Sequence, residues 1–420
     1  MLSEECLIVS LARRTWLTDG LLKPIVGPYI YYLREQRYTD DSIRSYLKSI
    51  AHFSFWLRAE GVVLADIGES LINKFIHVHL PSCDCGAPCA CSVSNARASL
   101  RKLVVVLRQE GYLCNESKFS TPVALELEQF RQYLFSICGY TETTSVYRLK
   151  HMSDFLDKHF GDGPVDILRI TTSDIERCMT DYGKRWRKAS LGVIRSSLKS
   201  YLRFRALQGD QIQPLLAALP ELADWSKATI PKALNDSELD HFEHAFDLTR
   251  PIGLRDYAIA RCLIDLGLRG HEVAHLVLES FDWRSGILTM ANCKGRRLVQ
   301  LPLSWRTGKA ITDYLRDGRP VTSSRVLFVV HKAPVGKPLS VSGIRTAMRY
   351  AFKRCGLDKQ FSNTHVLRHT LALRLQRSGA SLKEIADVLG HKSYETTTRY
   401  ARANMEELRK VTLPWPGSRP

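Results

Sequence analysis

The spacing of apolar residues constrains this chain most strongly, because much of it follows the period of an amphipathic α-helix. In residues 42–57, apolar side chains recur three or four positions apart, at Ile43, Tyr46, Leu47, Ile50, Phe53 and Leu57. Residues 97–110 repeat the pattern, which stops at Gly111, a residue type that commonly ends helices. The sequence therefore predicts a mainly α-helical protein whose helices bury their apolar stripes against one another.

A weak internal repeat organises the first half of the chain. Residues 42–57 resemble residues 144–159, and two shorter segments that follow the first copy recur in the same order after the second. We interpret the repeat as two successive small all-helical domains, residues 1–115 and 116–225. Chance similarity between amphipathic helices is the alternative.

The pattern changes to mixed α and β near residue 226. Strand-like segments at residues 281–290 and 297–303 are joined across Asn292–Gly295. The helical segments are residues 255–266, 308–315, 341–355, 365–378 and 382–389. These features predict an α+β domain at residues 226–410 with a small antiparallel sheet, followed by a C-terminal tail at residues 411–420.

Charge is concentrated in the last half. The formal net charge is +17, and residues 226–420 contribute +14 of it. This distribution favours a polyanionic partner for the last domain, although many soluble proteins are basic. No apolar run approaches the length of a membrane span, and eleven cysteines are too sparse for a disulfide scaffold. We therefore expect a protein of the prokaryotic cytoplasm or nucleoid, without a membrane partner.

A cysteine-rich insertion distinguishes the first helical copy from the second. Its four cysteines are Cys83, Cys85, Cys89 and Cys91. Four thiolates can bind a structural zinc ion, and His77 and His79 are nearby substitutes as ligands. The alternative is an insertion without metal, or one that is sensitive to oxidation.

Residues suited to bind or attack a phosphate recur through the basic half. Singly each is ordinary, since arginines after helices and isolated tyrosines are common in structural roles. Their order and spacing are distinctive: Arg269 with Glu272, Lys294 in a turn, His365 and Arg368 on one helical face, His391, and Tyr400.

On these motifs, residues 235–410 resemble the catalytic domain of the tyrosine recombinases, the phage integrase family. Residues 116–225 are similar to that family's helical core-binding domain. The ending at residues 408–416 resembles recombinases of mobile elements. The resemblance implies a site-specific DNA recombinase, either an integrase or a transposon recombinase.

The resemblance also implies a role for each residue of the set. Tyr400 would attack the DNA phosphate and form a 3′-phosphotyrosyl intermediate, with Arg269 and Arg368 binding the phosphate oxygens. His365 would take the tyrosine proton, Lys294 would protonate the leaving 5′-oxygen, and His391 would donate to a nonbridging oxygen. Glu272 would orient its neighbours, and His369 would make a structural hydrogen bond. Catalysis would need no ATP or metal and would pass through a Holliday junction.

The expected partners are double-stranded DNA recombination sites, and accessory or partner recombinases. The resemblance implies a homotetramer on two duplexes, with residues 401–420 exchanged between neighbours or packed in cis. The apolar anchors of this segment would be Leu408, Val411, Leu413 and Trp415.

Two basic segments are candidates for DNA contact in the helical copies. In the second copy the candidate residues are Lys184, Arg185, Trp186, Arg187, Lys188 and Arg195. In the first copy they are Arg97, Arg101 and Lys102. In both cases a solvated linker or helix face is the alternative.

Three other functions remain open at this point. A topoisomerase-like or telomere-resolving enzyme would use the same chemistry without joining two sites. A catalytically silent DNA-binding accessory protein would not need the intact polar set from Arg269 to Tyr400. A zinc-dependent binding module would explain residues 77–91 alone.

Overall fold

The computed structural model describes residues 3–9, 11, 15–85, 92–113, 121–186, 188–222, 231–291, 298–391, 397–398 and 400. The chain forms two compact units, one of Met1–Tyr112 with Ile230–Pro420 and the other of Leu113–Thr229. The predicted fold class, mainly helical with a small antiparallel sheet, is confirmed. The finer division into domains stays a prediction. Among the helices of the described ranges, none combines the length and apolarity that crossing a membrane requires.

Residues 3–113 are helical wherever the structure describes them, apart from short connections. The helices are α1 (Glu4–Val9), α2 (Thr15–Thr18), α3 (Lys23–Glu35), α4 (Asp40–Ala59), α5 (Glu69–Lys74) and α6 (Val93–Gln109). α4 begins where the Thr39 hydroxyl accepts a hydrogen bond from the Ser42 backbone N–H. Its predicted apolar stripe is buried, apart from the half-buried Tyr46. After α5 the chain continues as a single π-helical turn, Phe75–His79.

The second unit is also built from helices. They are α7 (Pro122–Gln132), α8 (Glu142–Phe160), α9 (Thr172–Arg185), α10 (Lys188–Leu207) and α11 (Gln213–Ala217). One carboxylate, Glu126, is buried in this unit. The Tyr201 hydroxyl donates to it at 2.8 Å and the Arg205 guanidinium at 3.1 Å. These partners compensate for the cost of removing the charge from water.

The two helical segments present their elements in the same order. α3 and α4 are followed by a short 3-10 turn and then by α5 and α6, and α7 and α8 are likewise followed by a 3-10 turn and then by α9 and α10; α1, α2 and α11 lie outside this shared order. The turns are Leu64–Asp66 and Ile167–Arg169. The copies differ between their last two helices, because α10 starts three residues after α9 whereas residues 75–92 separate α5 from α6. This shared order supports the interpretation of the repeat as a duplication.

The remaining part of the first unit combines helices with the sheet. The helices are α12 (Asp236–Glu243), α13 (Pro251–Asp265), α14 (Gly270–Ala274), α15 (Trp305–Asp313), α16 (Val341–Arg354), α17 (His365–Arg377) and α18 (Leu382–Leu389). The strands are β1 (Phe281–Asp282), β2 (Ile287–Ala291) and β3 (Leu298–Pro302). They pair antiparallel in the order β1–β2–β3, with Ile287 opposite Pro302. α13 is buried along most of its length and forms the centre of this core.

The structure corrects one predicted strand. Residues 281–290 are not continuous, because a tight turn separates β1 from β2. The Asp282 carboxylate accepts hydrogen bonds from the backbone N–H groups of Arg284 and Ser285, and Gly286 has a φ of 66°. An aspartate followed four residues later by glycine is a turn signal, and the apolar residues around it obscured that signal.

A reciprocal hydrogen-bond pair begins α9 in the second unit. The Thr171 hydroxyl accepts from the Asp174 backbone N–H, and the Asp174 carboxylate accepts from the Thr171 backbone N–H at 2.9 Å. Hydrogen bonds from the side chain and backbone of Thr171 lower the pKa of Asp174 to about 2. The folded state therefore favours the ionised form. The ionised Asp174 side chain stabilises the folded state fully above the ordinary pKa of an aspartate. This stabilisation is lost as the pH falls through about 2.

We predict that Asp174→Asn lowers the free energy of unfolding by about 1 kcal/mol at neutral pH, the usual scale for a helix cap. The difference from wild type should narrow as the pH falls from about 4 toward 2, because the wild-type carboxylate is then protonated. Urea denaturation of both proteins across this range measures the effect. Asp162→Asn, at an exposed turn after α8, is the control. A difference that stays constant with pH would contradict the prediction.

Candidate active site

Arg269 lies at the start of α14, directly after the turn that ends α13. Gly267 in this turn has a φ of 60°, a conformation that favours glycine. The Glu272 carboxylate accepts hydrogen bonds from the Arg269 backbone N–H at 2.7 Å and from its guanidinium at 2.8 Å. A second guanidinium nitrogen lies 3.4 Å from the Gly390 carbonyl oxygen. Glu272 thus holds Arg269 in a fixed orientation while part of the arginine side chain stays exposed.

Arg368 lies on α17 and is buried, with 4% of its surface exposed. Its guanidinium donates hydrogen bonds to the carbonyl oxygens of Gly267 and Leu389. Burial and the positive charge of Arg269 lower the pKa of Arg368 to about 10. The group therefore remains charged at neutral pH, in a region where a second cation is close. An anion placed between the two guanidinium groups would relieve their repulsion.

His365 is the first residue of α17, one helical turn before Arg368. Desolvation is the largest effect that lowers its pKa, followed by the positive charges of Arg368, Arg269, Arg345 and His271. The imidazole is therefore neutral at pH 7 and can accept a proton.

Tyr400 is enclosed in a small apolar cluster. Only 1% of its surface is exposed, and its neighbours in the cluster include Leu371 and Leu389. Its hydroxyl lies 2.8 Å from Nδ1 of His369, and its ring stacks at 6.4 Å on that of His391. The phenol is also close enough to Arg368 to affect the pKa of the guanidinium. His369 is expected to make a structural hydrogen bond, and its partner in the structure is the Tyr400 hydroxyl.

His391 follows α18, which ends at Gly390 in the left-handed conformation. Nδ1 of His391 lies 2.7 Å from the Thr397 hydroxyl. Six of the seven predicted active-site residues therefore lie on segments that meet around α17: Arg269, Glu272, His365, Arg368, His391 and Tyr400. The seventh, Lys294, lies outside the described residues, in the segment that follows β2.

A cavity of about 410 Å³ adjoins this site. Arg269, Glu272 and Arg368 form part of its wall, together with apolar side chains of β2 and β3. The two guanidinium groups in its wall are the groups that could bind an anion.

Sequence reasoning missed Arg345, a further cation whose charge acts on His365. Arg345 belongs to a set with Arg349 and Lys353 that recurs every four residues along α16. All three side chains are exposed. A four-residue period of basic residues places them on one helical face, and this signal was available in the sequence.

The predicted DNA contacts of the second unit are only partly described. Lys184 and Arg185 are exposed at the end of α9. Trp186 is 46% exposed, and its ring lies 6.0 Å from those of His151 and Tyr182. Arg187 and the side chain of Lys188 lie outside the described residues. The fourth candidate whose side chain is described, Arg195 on α10, lies 3.4 Å from the Glu221 carboxylate.

The three candidates on α6 differ in their surroundings. Arg101 is exposed, whereas Arg97 lies 3.2 Å from Nε2 of His77. The Lys102 ammonium lies over the rings of Tyr38 and Tyr46, at 5.3 Å and 4.7 Å, and burial lowers its pKa. Lys102 therefore contributes to packing within its own segment.

Only two of the four predicted zinc ligands lie within the described residues. Cys83 and Cys85 lie beside two histidines, His52 and His79. Cys89 and Cys91 lie outside the described residues.

Comparison with known proteins agrees with the fold. Residues 232–407 match the phage integrase family, and residues 127–209 match the N-terminal SAM-like domain of phage integrases. The chain is 32% identical over 402 residues to the protein named "Putative integrase/recombinase y4rA" of Sinorhizobium fredii, an alignment that covers 95% of this chain and 96% of the relative.

Two further relatives are shorter than this chain. The tyrosine recombinase XerC of Oceanobacillus iheyensis is 28% identical over 294 residues, which cover 69% of this chain and 95% of the relative. The crystal structure of the XerH site-specific recombinase bound to a palindromic difH substrate has a TM-score of 0.54 at 16% identity. It covers 70% of this chain and 97% of the other, and at this identity it supports the fold alone. From its sequence relatives and its matched domains, the chain belongs to the phage integrase family and is a tyrosine-type DNA recombinase.

Proposed function

We propose that this protein exchanges DNA strands between specific sites, as an integrase or transposon recombinase, with Tyr400 as its nucleophile. The observation that carries the proposal is the pair Arg269 and Arg368, two neighbouring cations whose fixed geometry suits a phosphodiester. Glu272 is the carboxylate that holds one of them. The site therefore has a net positive charge and presents planar guanidinium groups, which match phosphate oxygens better than lysines would.

The chemistry follows from these groups. The Tyr400 oxygen forms a bond to the scissile phosphorus while the bond from phosphorus to the 5′-oxygen breaks. The product is a 3′-phosphotyrosyl link and a 5′-hydroxyl. Arg269 and Arg368 stabilise the negative charge that gathers on the nonbridging oxygens in the transition state, and His391 donates to one of them.

Two protons must move during this step. His365 accepts the tyrosine proton, which is consistent with the lowered pKa of its imidazole. Lys294 gives a proton to the 5′-oxygen as it leaves. His369 holds the tyrosine hydroxyl before cleavage, as their distance of 2.8 Å indicates.

The phosphotyrosyl link conserves the energy of the phosphodiester, so rejoining requires neither ATP nor a catalytic metal ion. The 5′-hydroxyl of a second duplex attacks the link and transfers the strand. Two such rounds pass through a Holliday junction. We propose that the active assembly is a tetramer on two duplexes. The match to the phage integrase family and the similarity to the tyrosine recombinase XerC support DNA as the partner.

We predict that the wild-type chain forms a covalent adduct with nicked duplexes whose sequences were selected for binding from a random library. The nick lets the short 5′-fragment diffuse away, which traps the phosphotyrosyl link. Tyr400→Phe should abolish the adduct because it lacks the nucleophilic oxygen. Denaturing electrophoresis measures the adduct, and Tyr350→Phe, at an exposed position on α16, is the control.

An adduct that persists in Tyr400→Phe would contradict the assignment of the nucleophile. Absence of an adduct on every tightly bound duplex would contradict the proposed chemistry. Transfer of the cleaved strand to a second duplex distinguishes a recombinase from an enzyme that only relaxes or reseals DNA.

We predict that Arg368→Lys slows cleavage by about 10²- to 10³-fold, the usual effect of removing one donor that stabilises a transition state. Lysine keeps the charge but cannot donate to the carbonyls of Gly267 and Leu389 and to a phosphate with the same fixed geometry. Single-turnover cleavage at saturating protein measures the rate. Arg374→Lys, an exposed change on the same helix, is the control. Equal rates for both variants would contradict the role of Arg368.

We predict that the basic end of α9 contacts the DNA backbone. Substitution of Lys184 and Arg185 by alanine should weaken binding to all sequences and reduce the slope of log affinity against log salt by about 2, or one for each lost phosphate contact. Binding titrations at several salt concentrations measure the slope. Lys150→Ala, at an exposed position on α8, is the control. An unchanged slope would mean that this segment is only solvated.

A further inference from the structure

Two histidines and two cysteines converge in the N-terminal helical segment, and the proposed chemistry uses none of the four. His52 comes from α4, His79 ends the π-helical turn after α5, and Cys83 and Cys85 follow that turn. One ligand atom of each residue lies within 4.8 Å of those of the other three. Residues separated by as many as 33 positions in sequence thus direct their ligand atoms to one point.

The distances match a tetrahedral metal site. Nε2 of His52 lies 3.1 Å from Nε2 of His79 and 3.3 Å from Sγ of Cys83. Sγ of Cys85 lies 3.7 Å from Nε2 of His79. Around one zinc ion, metal–ligand distances of about 2.0–2.3 Å place tetrahedral ligand atoms roughly 3.3–3.8 Å apart. These three observed distances fall in that range or within a few tenths of an ångström of it, and all four atoms lie within 4.8 Å of one another.

Hydrogen bonding alone explains this arrangement less well. An imidazole nitrogen has one in-plane direction in which it donates or accepts. Nε2 of His52 nevertheless approaches both His79 and Cys83, and Nε2 of His79 approaches both His52 and Cys85. A metal ion at the shared point satisfies all four atoms through one contact each.

The surroundings are those of a structural site. His52 is 1% exposed, and the ring of Phe75 lies 5.2 Å from that of His52 and 5.3 Å from that of His79. The Trp56 ring lies 5.8 Å from His79 on another side. Four protein ligands would fill a tetrahedral coordination sphere and leave no position for a substrate.

We propose that His52, His79, Cys83 and Cys85 bind one structural zinc ion. Two thiolates with two imidazoles in a tetrahedral arrangement favour zinc over the hard cations, which prefer oxygen ligands. This ligand set replaces half of the one that the sequence suggests. Cys83 and Cys85 remain, whereas two histidines take the places expected for Cys89 and Cys91.

The ion would fasten α4 to the segment that follows α5. It would close the chain between His52 and Cys85, and so fix the start of the connection to α6. Zinc binding is then part of the folding free energy of residues 3–113, and its removal should loosen this segment before the rest of the chain.

The test is the metal content of the full-length protein purified without chelator. We expect about one zinc ion per chain by elemental analysis. Cys83→Ser, Cys85→Ser and His79→Gln should each lose stoichiometric zinc. His77→Gln and Cys178→Ser should retain it, because these residues have the same chemistry but lie outside the cluster.

Two further variants distinguish the proposed ligand set from a set of four cysteines. Cys89→Ser and Cys91→Ser should keep the zinc under the proposal, and loss of zinc in either would overturn it in favour of four cysteines. Wild-type protein that carries no zinc, and that binds none when zinc is added under reducing conditions, would also overturn it.

A spectroscopic measurement covers the case in which a variant fails to fold. Cobalt added to the zinc-depleted wild-type chain should give the intense visible bands of tetrahedral cobalt and a thiolate-to-cobalt charge-transfer band. A spectrum of octahedral cobalt without thiolate bands would contradict the proposal. Neither readout depends on recombination activity, so this proposal can fail while the proposed function stands.

Discussion

The candidate active site depends on the two hydrogen bonds that the buried Arg368 guanidinium donates. One goes to the carbonyl of Gly267, in the turn between α13 and α14, and the other to the carbonyl of Leu389, at the end of α18. The side chain thereby joins three segments, one 101 residues before Arg368 in the chain and one 21 residues after it. Arg269 and His391 lie next to the two carbonyls, so the bonds that bury Arg368 also set the positions of its neighbours.

This interaction also explains the backbone around it. A side chain at Gly267 would place its Cβ 2.8 Å from the ends of Leu371 and Leu389, in addition to the strain of a positive φ. The turn is therefore tight for two reasons, backbone conformation and close packing. Both keep its carbonyl within reach of the guanidinium.

Much of the fold could be predicted from the sequence because helices depend on local spacing. The apolar period of α4 is a signal within a few residues, and the predicted boundaries of α4, α17 and α18 lie close to the observed ones. The turn between β1 and β2 was missed because apolar residues on both sides of it resemble one strand. The order of the polar residues from Arg269 to Tyr400 indicated a site. The distances between them could not be predicted from the sequence, because they depend on how the helices pack.

Contacts between distant segments could not be predicted in the same way. His52 lies 31 residues before Cys83, inside a helix whose period explains it as a core residue. The hydrogen bond between His369 and Tyr400 likewise joins residues 31 positions apart. In both cases the residue type was visible in the sequence, and its partner was not, because pairing across the fold depends on how the helices pack.

The burial of Tyr400 has a consequence for selectivity among DNA sequences. Exposing an aromatic side chain and breaking its hydrogen bond costs roughly 2–4 kcal/mol, which corresponds to an exposed fraction of about one in 30 to one in 1000. Under the proposed function, random DNA that binds briefly would meet a protein whose Tyr400 hydroxyl is seldom exposed. A DNA site that holds the protein with Tyr400 exposed can supply the free energy of this exposure from its own contacts with the protein. Under the proposed function, the apolar cluster around Tyr400 would set a free-energy threshold that a recombination site overcomes and other DNA does not.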